Sequence, residues 1–260
     1  MNDLLINSLG DELYGAVKDC RVLEPLTSRH TDLTLDDAYR IQQRLNARRI
    51  DAGERMIGKK IGVTSQVVMD MLGVYQPDFG MLTDAMLYKE GEGIPAASLI
   101  QPKAEGEIAF LLKHDLKGPG VTAVDVLAAT EGVMACFEIV DSRIRDWKIR
   151  IEDTVADNAS CGAFVLGDRM VDPREVDFVG CAMKLEKNGE VVTTGTGAAA
   201  LGNPLEAVAW LANTLGQLNE PLRAGEVVLS GSLAAMVPVA AGDSLNVSID
   251  GIGNCSVRFV

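Results

Sequence analysis

Three glutamates in strand-like surroundings are the residues of this chain best suited to chemistry. Glu105 and Glu107 lie in Ile-Gln-Pro-Lys-Ala-Glu-Gly-Glu-Ile-Ala-Phe-Leu-Leu, residues 100–112, which otherwise has the composition of a buried strand. Because side chains two apart on a strand share a face, these carboxylates project together and each raises the pKa of the other. A strand end open to water would relieve that repulsion, and so would a cation bound between the two acids.

A third acid, Glu138, favours the bound cation. It lies in the apolar run Met-Ala-Cys-Phe-Glu-Ile-Val, residues 134–140. Burying an unpaired carboxylate costs free energy, so three acids in apolar contexts indicate a shared ligand. Carboxylate oxygens suit a hard divalent cation, Mg²⁺ or Mn²⁺, which keeps waters that a substrate can displace. The alternative is that Glu105, Glu107 and Glu138 form separate salt bridges at the surface.

Lys60 and Asp78 are candidate catalytic residues. Lys60 lies in Met-Ile-Gly-Lys-Lys-Ile-Gly-Val, residues 56–63, a segment too apolar for an ordinary solvated lysine. Near a metal and partly desolvated, its pKa is expected to fall, which suits an acid–base group or a clamp for a substrate carboxylate. Lys59 is expected to lie on the opposite face, exposed to solvent. Asp78 follows a proline and is a candidate acceptor of a proton from an attacking water; a turn-forming role is the alternative.

Asn158, Ser160 and Ser232 are candidate substrate-binding residues. The first two stand in a polar insert before the apolar run Ala-Phe-Val-Leu, residues 163–166. Both can hydrogen-bond a substrate or its oxyanion, and Asn158 also fits the role of a turn former. Asp157 is expected to support the same loop. Ser232 belongs to Leu-Ser-Gly-Ser, residues 229–232, and is a further candidate donor.

Composition excludes several classes of function. The 260 residues carry a formal net charge of -13, which repels nucleic acid and anionic membrane surfaces. No apolar run reaches the length of about 18 residues that spans a bilayer, and the N-terminus lacks a basic leader, so a cytoplasmic protein is expected. The five cysteines show no C-x-x-C spacing and are expected to be reduced and mostly buried. With two histidines, a histidine-ligated metal or a Ser-His-Asp triad has little to build on.

Helix and strand signals divide the chain into two parts. Capping patterns predict helices from Thr34, from Thr122 toward Met134, and from Asn203 to a terminating Gly216. Short apolar runs broken by glycine predict strands elsewhere, including a hairpin that turns at Asp250-Gly251. We therefore expect an α+β fold, with residues 1–55 as a helical N-terminal cap and residues 56–260 as a β-rich catalytic domain.

Several motifs together resemble the 2-keto-4-pentenoate hydratases of the fumarylacetoacetate hydrolase superfamily. The E-x-E pair followed about thirty residues later by a glutamate resembles the metal triad of that superfamily. The more specific similarity lies in five segments, in order along nearly the whole chain: Ile57-Gly-Lys-Lys-Ile-Gly-Val-Thr-Ser, Gln76-Pro-Asp-Phe-Gly, Ala156-Asp-Asn-Ala-Ser-Cys-Gly, Gly195-Thr-Gly with Gly202-Asn-Pro, and Leu229-Ser-Gly-Ser. Lys103 and Gly106 depart from the expected surroundings of the E-x-E core.

The resemblance implies a hydro-lyase of aromatic meta-cleavage degradation. Such an enzyme adds water to 2-hydroxypenta-2,4-dienoate and forms 4-hydroxy-2-oxopentanoate. Moving a proton from the 2-hydroxyl to C5 first gives a 2-oxo-3-enoate, whose C4 is electrophilic. A divalent metal on Glu105, Glu107 and Glu138 would stabilise negative charge on the 2-oxygen in both steps.

The same resemblance implies partners and leaves rival activities open. The partner molecule would be a small anionic 2-hydroxydienoate, and the assembly a homo-oligomer that can associate with a decarboxylase of the pathway. The 4-oxalocrotonate decarboxylases share the framework and are the second candidate. Hydrolysis of a C–C bond in an acylpyruvate is a third, but it would have to rely on His30, whose setting reads as a loop. An inactive scaffold partner is a fourth, although retention of the three acids with Lys60 argues against it.

Overall fold

Most of the helices begin at a polar residue whose side chain caps the first turn. The computed structural model describes residues 1–260, except for the side chain of Val67. The helices are α1 (Asp3–Lys18), α2 (Leu26–Arg29), α3 (Leu35–Asp51), α4 (Gln66–Leu72), α5 (Ala123–Ala129), α6 (Ile151–Ala156) and α7 (Pro204–Gln217). Within the described residues, each helix is too short or too polar to cross a bilayer.

The capping predictions hold at the helix starts and fail at two of the ends. Thr34 and Thr122 each form a capping box with the aspartate three residues later, and Asn203 caps α7 through Leu205 N. Helix α5 stops at Ala129, well before Met134, because the β-branched Thr130 already begins a strand. Gly216 was expected to terminate α7 but lies inside it, and the helix continues to Gln217.

The N-terminal helices share an apolar cluster with α6. Helices α1 and α3 pack through Leu9, Leu13, Ile41 and Leu45, and Val155 of α6 joins them. Gln42 of α3 then ties this cluster to the rest of the chain, since its Nε2 donates to Phe79 O at 2.8 Å and to Val155 O at 3.0 Å. The helical layer therefore lies against the start of the strand that contains Phe79. The domain boundary at residues 55 and 56 stays a prediction.

The named strands all follow the helical N-terminal region. They are β1 (Met56–Gly62), β2 (Asp78–Thr83), β3 (Leu87–Lys89), β4 (Gly93–Ile94), β5 (Lys103–Leu112), β6 (Thr130–Val140), β7 (Cys161–Leu166), β8 (Ala182–Lys187), β9 (Glu190–Thr196), β10 (Val227–Leu229), β11 (Val237–Pro238), β12 (Ser244–Ile249) and β13 (Gly253–Phe259). The predicted hairpin is confirmed, with β12 and β13 antiparallel from Ser244↔Arg258 to Ile249↔Gly253. The α+β expectation, with helices preceding a mixed β-rich body, is also confirmed.

The strands form a larger and a smaller mixed sheet. The larger sheet has the order β2-β1-β10-β5-β6-β7-β3, with β11 added to β5, and the smaller has the order β4-β13-β12-β8-β9. Val247 of β12 packs close to Gly106 of β5, where an added Cβ would lie 2.8 Å from Val247 Cγ2. Gly106 thus lets the smaller sheet approach one face of β5, while the glutamates on either side of it project from the other face.

Candidate active site

The register of β5 and β6 brings the predicted glutamates together. The two strands are antiparallel, and Glu105 lies directly opposite Glu138. Glu107 is two residues further along β5, on the same face. One carboxylate oxygen from each of the three lies within 4.8 Å of the others, and the side chains of Glu107 and Glu138 are fully buried. Strand pairing therefore brings Glu107 and Glu138 together, although they are far apart in the sequence.

The glutamate cluster has too little positive charge beside it to balance three carboxylates. Glu107 Oε2 accepts a hydrogen bond from Gly231 N at 2.8 Å. Among the described residues, Glu107 Oε1 and Glu138 Oε2 have no polar partner, and Glu138 Oε1 has only the ion pair with Lys60. Burial and, after it, the charge of Glu138 raise the pKa of Glu105 to about 7, and they raise the pKa of Glu107 well above its usual value. Orphaned, converging carboxylate oxygens fit a hard divalent cation.

Lys60 points at the same cluster from β1. It is buried, and its Nζ lies 3.2 Å from Glu138 Oε1. Burial acts to lower the pKa of Lys60, but the carboxylates of Glu138 and Asp78 outweigh it and raise that pKa above its usual value. Among these side chains the nearby negative charges stabilise the ammonium more than burial destabilises it. The expected fall of the Lys60 pKa, which was made for a lysine beside a metal, stays a prediction.

Asp78 lies next to Lys60 at the start of β2. Gly62 of β1 is its partner in the antiparallel register. A Cβ at position 62 would lie 2.2 Å from Asp78 Oδ1 and 3.2 Å from Lys60 Nζ, so the glycine makes room for both groups. Both carboxylate oxygens of Asp78 are buried and lack hydrogen-bond partners among the described residues. Burial raises the pKa of Asp78, against the opposing effect of Lys60.

Lys59 was expected to be exposed, and that expectation is wrong. It is 5% exposed, and its Nζ lies 2.8 Å from Glu226 Oε2 and 2.9 Å from Glu226 Oε1. Strand alternation does turn Lys59 away from Lys60, but consecutive residues 58–61 of β1 are all buried, so both faces of the strand are covered there. The ion pair with Glu226 offsets the burial of this second lysine.

The predicted polar donors lie in two different environments. The Asn158 amide is engaged with the β2 backbone, accepting from Met81 N at 2.8 Å and donating to Met81 O at 2.9 Å. Asn46 Nδ2 donates to Asn158 Oδ1 at 3.1 Å. Ser160 is placed differently, since it lines the cavity described below and its Oγ lies 3.1 Å from Thr154 Oγ1. Ser232 lines the same cavity and donates to Ala234 O at 2.6 Å.

One cavity of about 610 Å³ collects most of these groups. Lys60, Asp78, Glu105, Ser160 and Ser232 line it, together with apolar residues of α4 and Trp147. Asn158 is not among the residues that line the cavity, and its hydrogen bonds to Met81 hold its side chain against the β2 backbone. Of the three glutamates, Glu105 is the one that lines the cavity, while Glu107 and Glu138 lie buried behind it. The cavity therefore combines two carboxylates, an ammonium group and hydroxyl groups beside an apolar wall, as expected for a site that binds a small anion with a short carbon chain.

Two contributors to the site were absent from the sequence-based prediction. The Gly231 amide donates a hydrogen bond to Glu107, but Ser232 was the only residue of this motif singled out from the sequence. Gly231 has a φ of +99°, a backbone conformation that favours glycine. Arg143 was also missed. Its Nε and its backbone N donate to the Asp157 carboxylate, and its guanidinium also donates to Asp157 O and Cys161 O, which fixes the loop around Ser160.

Comparison with known proteins identifies the family to which this chain belongs. Residues 60–260 match the family model described as "Fumarylacetoacetate (FAA) hydrolase C-terminal". The chain is 58% identical over 256 residues to a 2-hydroxyhexa-2,4-dienoate hydratase of Comamonas testosteroni, covering 98% of this chain and 97% of that protein. It is 65% identical over 217 residues to a 2-hydroxypent-2,4-dienoate hydratase of Pseudomonas putida, covering 83% of this chain and 98% of that protein. The chain belongs to the 2-keto-4-pentenoate hydratase family of the fumarylacetoacetate hydrolase superfamily.

Solved structures agree with this placement. The 4-oxalocrotonate decarboxylase from Pseudomonas putida G7, complexed with magnesium and adipate, superposes with a TM-score of 0.97 at 37% identity, over 100% of this chain and 99% of that one. The fumarylpyruvate hydrolase from Pseudomonas aeruginosa, in complex with Mn²⁺ and pyruvate, has a TM-score of 0.62 at 17% identity, over 78% of this chain and 89% of that one. At that identity the second likeness concerns the fold.

Proposed function

We propose that this protein is a hydro-lyase that adds water to 2-hydroxypenta-2,4-dienoate and forms 4-hydroxy-2-oxopentanoate in the meta-cleavage degradation of aromatic hydrocarbons. The names of the hydratase relatives support this activity. The observation that carries it in this chain is that Lys60 and Asp78 line one cavity together with Glu105, whose carboxylate converges with those of Glu107 and Glu138. Hydration of a dienol needs both a proton transfer and an activated water, and these groups offer an acid–base pair beside a cation site.

We propose that Glu105, Glu107 and Glu138 hold a divalent metal ion, Mg²⁺ or Mn²⁺. The oxygens Glu107 Oε1 and Glu138 Oε2, which have no partner among the described residues, support this assignment, because buried carboxylate oxygens without partners call for a bound cation. When bound, the ion would supply Lewis-acid stabilisation of negative charge on the 2-oxygen of the substrate. The Gly231 amide orients Glu107 by occupying its other oxygen.

The remaining steps fall to two residues of this chain. Lys60 is proposed either to assist the dienol-to-ketone step or to bind the substrate carboxylate, because its ammonium is buried and directed at the glutamate cluster. We propose that Asp78 activates the attacking water: its carboxylate makes no hydrogen bond of good geometry among the described residues and can accept a proton from the water as the C4–O bond forms. Ser160 and Ser232 line the cavity and are proposed to hydrogen-bond the substrate. Asn158 is left out of this set because its amide is already engaged.

The second candidate activity is decarboxylation. It is favoured by the TM-score of 0.97 and the 37% identity shared with the 4-oxalocrotonate decarboxylase. Both reactions develop negative charge on the 2-oxygen of a 2-oxo acid, so the same carboxylate cluster could serve either. Acylpyruvate hydrolysis lacks comparable support. It would rely on His30, which lies at the end of α2 in the helical layer.

Product analysis tests the proposal. The purified protein, supplied with Mg²⁺ or Mn²⁺, is given 2-hydroxypenta-2,4-dienoate, and the loss of dienol absorbance is followed together with the product. We expect 4-hydroxy-2-oxopentanoate and no carbon dioxide. A parallel assay with 4-oxalocrotonate tests the decarboxylase candidate. Release of carbon dioxide there, without hydration of the dienoate, would reject the proposed activity.

Location and assembly are proposed from the family resemblance. We propose a cytoplasmic homo-oligomer that associates with a decarboxylase of the same pathway. The net charge of -13 supports a small-molecule substrate over nucleic acid or an anionic membrane. Light scattering of the pure protein, with and without the decarboxylase, tests both assembly proposals. A monomer that does not associate would contradict them without bearing on the reaction.

A further inference from the structure

A second cavity opens on the far side of Asp78. Its volume is about 330 Å³, and it lies between the helical layer and the segment that enters β2. Leu35 and Tyr39 of α3, Ile151 of α6 and residues 74–78 line it. Asp78 lines the main cavity as well. This residue therefore stands between two separate spaces.

The Asp78 carboxylate has little to orient it on the side of the second cavity. Both oxygens are buried and make no hydrogen bond of good geometry within the described part of the chain, although the Gly62 backbone lies close enough to lower the pKa of Asp78. An anion of this kind needs a donor, because an unsatisfied buried carboxylate is costly and adopts no single orientation. Lys60 supplies charge from the side of the main cavity. A donor on the other side would fix the second oxygen.

Tyr39 is the side chain placed to supply that donor. Its ring stacks on Phe79, the residue after Asp78, with centroids 4.6 Å apart and planes 19° from parallel. Gln42, one turn later on α3, locks this part of the helix to Phe79 O at 2.8 Å. Tyr39 and Asp78 line the second cavity together. Burial and then the charge of Asp78 raise the pKa of Tyr39, against the opposing effect of the Phe79 backbone, so the hydroxyl stays protonated. A neutral phenol is a hydrogen-bond donor.

We propose that Tyr39 is a positioning residue for hydration: with solvent in the second cavity, its hydroxyl orients the Asp78 carboxylate toward the water that attacks the substrate. The inference rests on the proposed function, in which Asp78 handles the water. The stacking and the Gln42 anchor hold Tyr39 rigidly, which makes the helical layer part of the catalytic arrangement. Substrate binding and metal binding do not depend on this contact, because both lie on the other side of Asp78.

Tyr39→Phe tests the proposal, since it removes the hydroxyl and keeps the stacked ring. We expect kcat for hydration to fall on the order of 10-fold to 100-fold, as for loss of one hydrogen bond to a charged group, with KM and bound metal unchanged. Exchange of the C3 or C5 hydrogens with deuterated solvent should continue at the wild-type rate. Val74→Phe, which fills the second cavity from another wall, should give the same pattern. Tyr88→Phe, at a half-buried tyrosine of β3, is the matched control and should behave as wild type.

Crystal structures of the wild type and Tyr39→Phe provide a readout independent of turnover. The wild type should show the Tyr39 hydroxyl bonded to Asp78 through one water in the second cavity, and the variant should show a displaced carboxylate. Wild-type kcat in Tyr39→Phe, or parallel loss of exchange and hydration, would overturn the inference. So would a wild-type structure without the bridge. If the wild type shows the bridge but does not hydrate the dienoate, the proposed function fails and the positioning contact stands.

Discussion

At the scale of single residues, the site is defined by an excess of negative charge. Glu105, Glu107, Glu138 and Asp78 surround Lys60, so full ionisation would leave a formal charge of −3 in a buried space. Burial and mutual repulsion raise the pKa of the acids accordingly. A divalent cation would remove most of that excess, whereas protonation of the acids would remove the ligands. The charge balance is thus the strongest residue-level argument for the metal.

Lys60 and Asp78 should fail differently when substituted. Asp78→Asn should bind substrate and exchange the C3 or C5 hydrogens with deuterated solvent, yet form little 4-hydroxy product. Lys60→Met, which keeps much of the stem volume without the charge, should lose both exchange and hydration while the metal stays bound. Each should lower the rate by about 10²–10⁴-fold, the usual range for one positioned acid or base.

The outcomes of these two substitutions are read by mass spectrometry of the product and by metal analysis. Full hydration by Asp78→Asn would return this residue to the turn-forming role considered from the sequence, and the water would have to be activated elsewhere. Normal exchange in Lys60→Met would show that the dienol forms its ketone without the lysine. Either result would refute one assignment and leave the other in place.

Gly62→Ala should disable the enzyme without changing any functional group. The added Cβ would lie 2.2 Å from Asp78 Oδ1, so the carboxylate must move. A displacement of about 1 Å can lower the rate by about 10²-fold, and we expect at least that loss of kcat, measured by steady-state kinetics. Gly15→Ala in α1 is the control, because its Cβ would meet its neighbour at an ordinary 3.6 Å. Equal activity of the two variants would show that Asp78 needs no exact placement.

At the scale of secondary structure, the strand carrying Glu105 and Glu107 and the capped helix starts were predictable, and the contacts between distant elements were not. Alternation along one strand indicates that Glu105 and Glu107 share a face, but the pairing with Glu138 depends on a register that no local pattern contains. The burial of Lys59 was missed for the same reason, since a strand does not reveal whether its second face is covered. The role of Asn158 depends on β2, more than seventy residues earlier in the chain.

Asn158→Ala tests whether this side chain joins elements or binds substrate. The change removes buried hydrogen bonds to both backbone groups of Met81, so we expect the free energy of unfolding to fall by about 2–3 kcal/mol. Urea denaturation measures this. Asn219→Ala is the control, because Asn219 is exposed and its φ of +61° is close to the +56° of Asn158. Both substitutions therefore carry the cost of placing alanine at a positive φ. A stable Asn158→Ala with a raised KM would instead support the substrate-binding role.

At the scale of the whole molecule, cation binding should be visible as stability. A ligand that binds only the folded state stabilises it by about 2.7 kcal/mol at 100 times its Kd. For a chain of this size each kcal/mol raises the Tm by roughly 2–4 °C, so saturating Mg²⁺ or Mn²⁺ should raise the Tm of chelator-treated protein by roughly 5–10 °C. Differential scanning fluorimetry measures the shift. Sodium chloride at equal ionic strength controls for screening of the net charge of -13.

Glu107→Gln should invert the order of stability between the metal-free and metal-loaded proteins. The amide keeps the shape of the side chain and an oxygen for the Gly231 amide, but it removes one charge from the buried cluster. Without metal, the variant should therefore melt at or above the wild type, because repulsion within the cluster is relieved. With metal, the wild type should melt above the variant, because the variant has lost a ligand charge that the cation requires. A Tm shift of equal size in both proteins would place the cation elsewhere on the acidic surface and remove the glutamate cluster from the mechanism.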